Sequence, residues 1–334
     1  MKTSRRLFMV AGAVAAATML GAPGPALAQQ KMVLKATDVH PLGYPTVEAV
    51  VRMGKKLEQQ TNGRLSVQMF PSMQLGGEKE MIEQAQVGAL QMARISVGPM
   101  GPLVPELNVF NLPFMFRDNA HMEKVIDGPI GQELLKKLSD HPTAGLIGLC
   151  WMNAGTRNVY NNKKPIKQVE DLKGLKIRMM GNPVFVDTMN SLGGNGVAMG
   201  YDQLINAMQT GVVDGAENNW PSYESARHYE VAKNYTLTEH SLTPEILVIS
   251  KMAWDKLSPE DQKIIKQAAR ESTPKMRELW AAREKASEEK VRAAGNKIIT
   301  VDKAEFSAAM KPVYDKFVTD PKMKDLLERV QAVQ

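Results

Sequence analysis

The sequence predicts an α/β fold of two doubly wound lobes, and three observations lead there. An order of strand, helix, strand, helix and strand begins at Val33, and a similar alternation recurs from Gly174 to Trp220. A further helix from Pro274 spans about 20 residues, or ~30 Å, enough to run along both lobes. With 334 residues and 43% hydrophobic content, the chain can supply a core to each lobe.

In the first series Val33 to Thr37 reads as a strand, followed by the loop Asp38-Val39-His40-Pro41. Pro45 suits the first turn of a helix with Val47, Val50, Val51 and Leu57 on one face, and Asn62-Gly63 releases the chain. Leu65, Val67 and Met69 alternate with polar neighbours as a second strand. After the Gly76-Gly77 turn a helix starts at Glu78 with Met81, Ile82 and Ala85, and a third strand follows Gly88. Pro102, Pro105 and Pro113 mark an ordered connection. Asp118 then caps a helix expected to reach about Ser139. A strand from Ala144 to Trp151 leads to the loop Asn153-Ala154-Gly155-Thr156-Arg157, where the chain first crosses between lobes.

In the second series Leu175, Ile177 and Met179 alternate with Lys176, Arg178 and Met180, so Arg178 points away from the more apolar face. Pro183 opens a helix carrying Val184, Phe185, Met189 and Leu192. Another follows at Leu204, Ile205 and Met208. A short strand from Val212 to Ala216 ends in Glu217, Asn218 and Asn219. Ligands of open α/β sheets lie beyond the carboxyl ends of the strands, which puts Arg178 and Asn218 on one crevice. Ser258 caps a later helix with Pro259 in its first turn and Asp261 set to reach back. Pro274 should kink or restart that helix. A strand from Lys297 to Val301 and two terminal helices close the chain.

Charge and cysteine content exclude several functions. The net charge is +6, but residues 1–28 hold Lys2, Arg5 and Arg6 and no acid, leaving 39 basic against 36 acidic residues. A surplus of that size, interspersed along the chain, does not argue for nucleic acid. The apolar run Leu7 to Leu20 and the small-x-small Ala26-Leu27-Ala28 have the form of an export signal cleaved after Ala28. Ser4-Arg5-Arg6-Leu7-Phe8-Met9 resembles a twin-arginine signal, with a general secretory signal as the alternative. The run is too short to span a bilayer. Cys150 is the only cysteine, which excludes an internal disulfide and a thiolate metal cluster, and its apolar surroundings read as a buried thiol. No cofactor or metal is expected.

Arg178 carries the functional signal, because a guanidinium offers a rigid fork of donors that matches both oxygens of a carboxylate. Taken alone, a pairing with a neighbouring acid is the commoner fate of such an arginine. Arg94 lies between apolar residues and needs an anionic partner, for which Glu78 and the ligand are the candidates. Glu78 at a helix start is equally explained by the helix dipole, and His40 before proline by a turn.

The run KGLKIRMM, then AMQTGVVDGAEN, then a helix and His240, resembles the solute-binding subunits of tripartite ATP-independent periplasmic (TRAP) transporters, and the resemblance covers nearly the whole mature chain. ENNWPSYESARHYEVAKNYTLTEHSLTPEILVISK, Glu217 to Lys251, is most similar to the branch that binds hexuronates. The resemblance implies a periplasmic binding protein of type II plan, monomeric, that grips a sugar acid without transforming it and delivers it to membrane permease subunits. It implies a hinge crossed by a long helix, with lobe I formed by residues 29–153 and 242–282 and lobe II by 154–241 and 283–334. Arg178 matches the family arginine that holds the ligand carboxylate, and Arg157 a second arginine facing the ligand. By the same resemblance His40, Glu78, Arg94, Met180, Tyr201 and Asn218 join the site, with Glu217 and His240 as supports near the hinge. A periplasmic enzyme acting on uronic acids and a binding protein for an ATP-driven importer are the alternatives, although no G-x-S-x-G, H-E-x-x-H or phosphate-loop motif supports catalysis. Met199-Gly200-Tyr201 lacks the proline that commonly precedes the ring position, and Ile95-Ser96-Val97 is less polar than hexuronate binders suggest, so the particular sugar stays open.

Overall fold

The computed structural model describes residues 31–334; the export signal falls outside the described residues. The chain builds a first sheet from β1 (Met32–Thr37), β2 (Leu65–Phe70), β3 (Met92–Ser96) and β4 (Leu146–Met152). It then crosses at residues 153–155 into a second sheet of β5 (Thr156–Asn161), β6 (Lys176–Met179), β7 (Asn195–Ala198), β8 (Gly215–Asn218) and β9 (Asn234–Leu242). At Thr243-Pro244 it returns, placing β10 (Glu245–Ser250) in the first sheet, and β11 (Lys297–Thr300) joins the second. The strand orders are β2-β1-β3-β10-β4 and β11-β9-β5-β8-β6-β7. Both sheets are mixed. β10 runs antiparallel between β3 and β4, and β5 runs antiparallel between β8 and β9, because each arrives directly from the other lobe without a helical crossover to reverse it.

The helix Pro259–Ala293 runs unbroken for 35 residues, about 52 Å, through Pro274 rather than kinking or restarting there. Packing on both flanks outweighs the lost backbone bond. Met276 and Trp280 are buried in the first lobe's core and Val291 in the second's. Ion pairs follow the same division. Asp261 takes Arg64 in a two-point pair at 2.6 and 2.7 Å, so it does not reach back to the cap, while Arg283 and Lys290 both pair with Glu224 of the second lobe. Ser258 does cap the helix, accepting from the Asp261 amide at 3.1 Å.

Other boundaries also differ from the sequence reading. The segment after Asp118 forms two helices, Asn119–Asp127 and Pro129–Asp140, since Pro129 cannot continue the first and instead opens the second. The strand expected from Val212 begins only at Gly215, as the turn at Gly211 extends to Asp214, whose amide bonds the Lys176 carbonyl at 2.7 Å. Arg157 lies within β5 and not on the crossing loop, because Thr156 and Arg157 already pair with Leu242 and Ser241 of β9. Three helices end the chain, and the last, Pro321–Ala332, packs against first-lobe helices: Val330 accepts from His121 at 3.0 Å and Arg329 pairs with Glu133 at 2.6 Å. Cys150 is buried, and burial pushes its thiol up to about 12.

At the first crossing Gly155 has φ +64°, and a Cβ there would lie 2.9 Å from both the Trp280 ring and the Glu284 carboxylate. Gly155→Ala is expected to lower unfolding free energy by about 1–3 kcal/mol in urea titration. An unchanged midpoint would show that the crossing tolerates a side chain.

Candidate functional site

A cavity opens between the lobes at the carboxyl ends of β1, β3, β6 and β8. From the first lobe it is lined by Val39, His40, Glu78, Ser96 and Glu245; the second lobe contributes Arg157, Arg178, Met180, Tyr201, Asn218 and Ser222. Bonds cross directly over it. Tyr44 and Ser222 share a hydrogen bond of 2.9 Å, and the Asn182 amide donates to the Gly98 carbonyl at 2.7 Å. The lobes are closed on one another.

The two walls carry opposite charge. In the first lobe Arg94 is fully buried among three carboxylates: its Nε and Nη2 donate to both oxygens of Asp38, and its Nη1 lies 3.0 Å from Glu78 and 3.1 Å from Glu245. Burial opposes its charge, but the acids around it, Asp38 foremost, outweigh that and raise its pKa well above the ordinary value. Its anionic partner is thus a trio of protein acids, and Arg94 does not line the cavity. It holds the acidic wall in place. Glu78 Oε1 gathers Arg94 Nη1, the Ser96 amide at 2.8 Å and the Ser96 hydroxyl at 2.9 Å.

In the second lobe Arg157 Nε donates to Glu217 at 2.5 Å and its Nη2 to the other carboxylate oxygen at 2.8 Å. Burial alone would raise the Glu217 carboxyl, yet Arg157 and then His240 bring it down to about 2. Glu217 and His240 are fully buried behind Arg157 and away from the lining, with His240 Nε2 3.5 Å from Glu217. Neither reaches the cavity.

Arg178 is different. It is 4% exposed, and its one side-chain hydrogen bond among the described residues runs from Nε to the Met199 carbonyl at 2.8 Å. Among the described residues no acid pairs with it, and burial lowers its pKa, the reverse of the net shift at Arg94 and Arg157. Tyr201 stands beside it, 5.8 Å from guanidinium carbon to ring centre, and donates its hydroxyl to the Ser222 carbonyl. His40 stacks on Tyr44 with centroids 3.7 Å apart, and burial, then Arg94, hold its pKa near about 3, so the ring is neutral and can both donate and accept.

The sequence reading passed over Glu245, Ser222 and Ser96 as lining residues and Asp38 as the main partner of Arg94. Asp38 stands directly after β1, where site residues are expected, whereas Glu245 follows a crossing that no local pattern marks. Among the described residues no group of His, Cys, Asp and Glu is placed to hold a metal ion, and no helix is long and apolar enough to cross a membrane.

A cleft that closes between two lobes around an unpaired buried cation defines a binding protein for a small anion. Residues 36–320 match the model of the bacterial extracellular solute-binding protein, family 7, and the chain belongs to that family. A solute-binding protein of Chromohalobacter salexigens is 39% identical over the full length of both chains. A TRAP periplasmic solute-binding protein of Pseudomonas putida F1, solved with bound D-glucuronate, is 51% identical with a TM-score of 0.88, covering 91% of this chain and 98% of that one. Another from Xanthobacter autotrophicus Py2, solved with bound β-D-galacturonate, is 48% identical with a TM-score of 0.87, covering 90% and 100%. The family is one of periplasmic solute-binding transport proteins for organic acids that work with a TRAP membrane permease.

The Arg157–Glu217 pair makes stability acid-sensitive. Glu217 has a depressed pKa, so its contribution is complete above about pH 4.5 and declines as pH falls toward about 2. Glu217→Gln should cost about 3 kcal/mol or more at pH 7. The gap from wild type should narrow in unfolding titrations taken stepwise from pH 4.5 downward; a constant gap would contradict the pairing.

Proposed function

We propose that this chain is the periplasmic subunit of a TRAP transporter that captures a hexuronate, and that Arg178 holds the ligand carboxylate in a two-point pair. The observation that carries this reading is the buried Arg178 guanidinium without an acid partner. Removing one member of a buried ion pair costs about 3–5 kcal/mol, so a bound carboxylate relieves a cost the closed cleft otherwise bears. Arg157 and Asn218 complete the anion and neighbouring hydroxyl contacts, and Tyr201 and Met180 pack on the apolar CH face of the sugar. Across the cleft, Glu78 and neutral His40 take ring hydroxyls. Arg94, Glu217 and His240 act one layer back by fixing the groups that touch the ligand.

The bound hexuronates of the two similar structures support the choice of ligand class. The opposed walls support it too, since a sugar acid carries a carboxylate at one end and hydroxyls at the other. Closure follows because only the closed state lets one ligand bond to both lobes. The ligand is released unaltered, the protein acts as a monomer, and the exported chain begins at Gln29 after cleavage of the signal.

Ligand at 100 times its dissociation constant stabilises a protein by about 2.7 kcal/mol. D-glucuronate or D-galacturonate should therefore raise the melting temperature clearly, and Arg178→Lys should weaken binding about 100-fold or more in calorimetry. Full affinity in that variant, or a sugar altered by NMR after incubation, would refute the reading.

A further inference from the structure

Resting on the hexuronate reading, we propose that Glu245 determines specificity by holding a proton in the closed cleft and presenting a neutral carboxylic acid to a hydroxyl of the bound sugar acid, so that affinity depends on pH. Glu245 is the first residue of β10, directly after the second crossing, and lines the cavity at 3% exposure. Its Oε1 lies 3.1 Å from Arg94 Nη1 and 3.5 Å from the Ser96 hydroxyl. Among the described residues its buried Oε2 has no hydrogen-bond partner. A buried polar oxygen facing a cavity needs a hydrogen-bond partner, and a ligand hydroxyl can supply one.

Charge decides which form of Glu245 fills it. Asp38, Glu78 and Glu245 crowd one guanidinium, and three carboxylates around one cation in a dry wall cannot all stay ionised at low cost. The proton goes to the acid with the fewest donors. Asp38 receives Arg94 twice, the His40 amide at 2.9 Å and the Thr46 hydroxyl at 2.9 Å. Glu78 receives Arg94 and Ser96, the latter twice. Glu245 has only a shared edge of Arg94 and a distant hydroxyl. Burial pushes its carboxyl up to about 8; Arg94 opposes this, Asp38 and Glu78 add to it, and Arg157 across the cleft works weakly against it.

Three other groups beside this wall keep one charge state near neutrality. His40 is held down to about 3, Tyr44 is raised well above its ordinary value, and Arg157 is committed to Glu217. A neutral acid both donates and accepts, which suits a hydroxyl; an ionised one only accepts. The same wall repels a second carboxylate, so a C4-dicarboxylate brings charge to a place where a sugar acid brings a hydroxyl.

Calorimetric titration of the mature protein with D-glucuronate from pH 6 to 9.5, in buffers of differing ionisation enthalpy, tests the assignment. Wild-type affinity should be level below about pH 7 and fall about tenfold per pH unit well above 8, with close to one proton taken up per ligand at pH 9. Glu245→Gln, whose amide keeps a donor and an acceptor, should bind about tenfold more tightly than wild type at pH 9, with no slope. Affinity independent of pH in wild type, without proton uptake, overturns the proposal even if the variant does not fold. Failure of any hexuronate to bind at pH 6 instead overturns the underlying reading and this one with it.

Discussion

Everything in the cleft depends on how two buried guanidiniums are neutralised. Arg94 is over-supplied, with three carboxylates at hydrogen-bonding distance, while Arg178 at comparable burial has a single carbonyl. A desolvated charge needs a counter-charge. The first arginine therefore builds an acidic wall from the protein's own side chains, while the second has no acid beside it among the described residues. Arg157 lies between these cases, bound to Glu217 yet still bordering the cavity.

The architecture makes the asymmetry possible. Two crossings, at residues 153–155 and 243–244, insert one antiparallel strand into the interior of each sheet, and both reversed strands bring a site residue, Arg157 on β5 and Glu245 on β10. The long helix ties the lobes on the outer side. From Ile265 to Trp280 it is buried against one core, and through Arg283 and Lys290 it is fastened to Glu224 of the other. The two sheets are thus joined by two short crossings and one long helix.

Much of this was legible in the linear chain where the signal was local. Strand alternation around Arg178, the proline openings at Pro45 and Pro183, and the Asp118 and Ser258 caps all appear where their short-range chemistry places them. Readings that required knowledge of distant packing went astray. Pro274 was expected to interrupt a helix that two lobes hold straight, and Asp261 was expected to cap when Arg64, almost 200 positions away in sequence, offered a two-point pair. Arg94 was placed at the ligand by resemblance, with Glu78 foreseen as one possible partner, while Asp38 and Glu245 were not foreseen.

The sequence by itself determined the class of fold, the alternation of its elements and the presence of an anion-seeking arginine at a strand end, since periodicity and turn chemistry act over a few residues. The resemblance carried by its motifs pointed to the transport family. Only the tertiary structure decided which arginine is left without an acid, which carboxyl is crowded, and which residues stand one layer behind the cavity. Those are properties of distance and desolvation between segments far apart along the chain, and charge responds to its surroundings in space rather than to its position in the sequence.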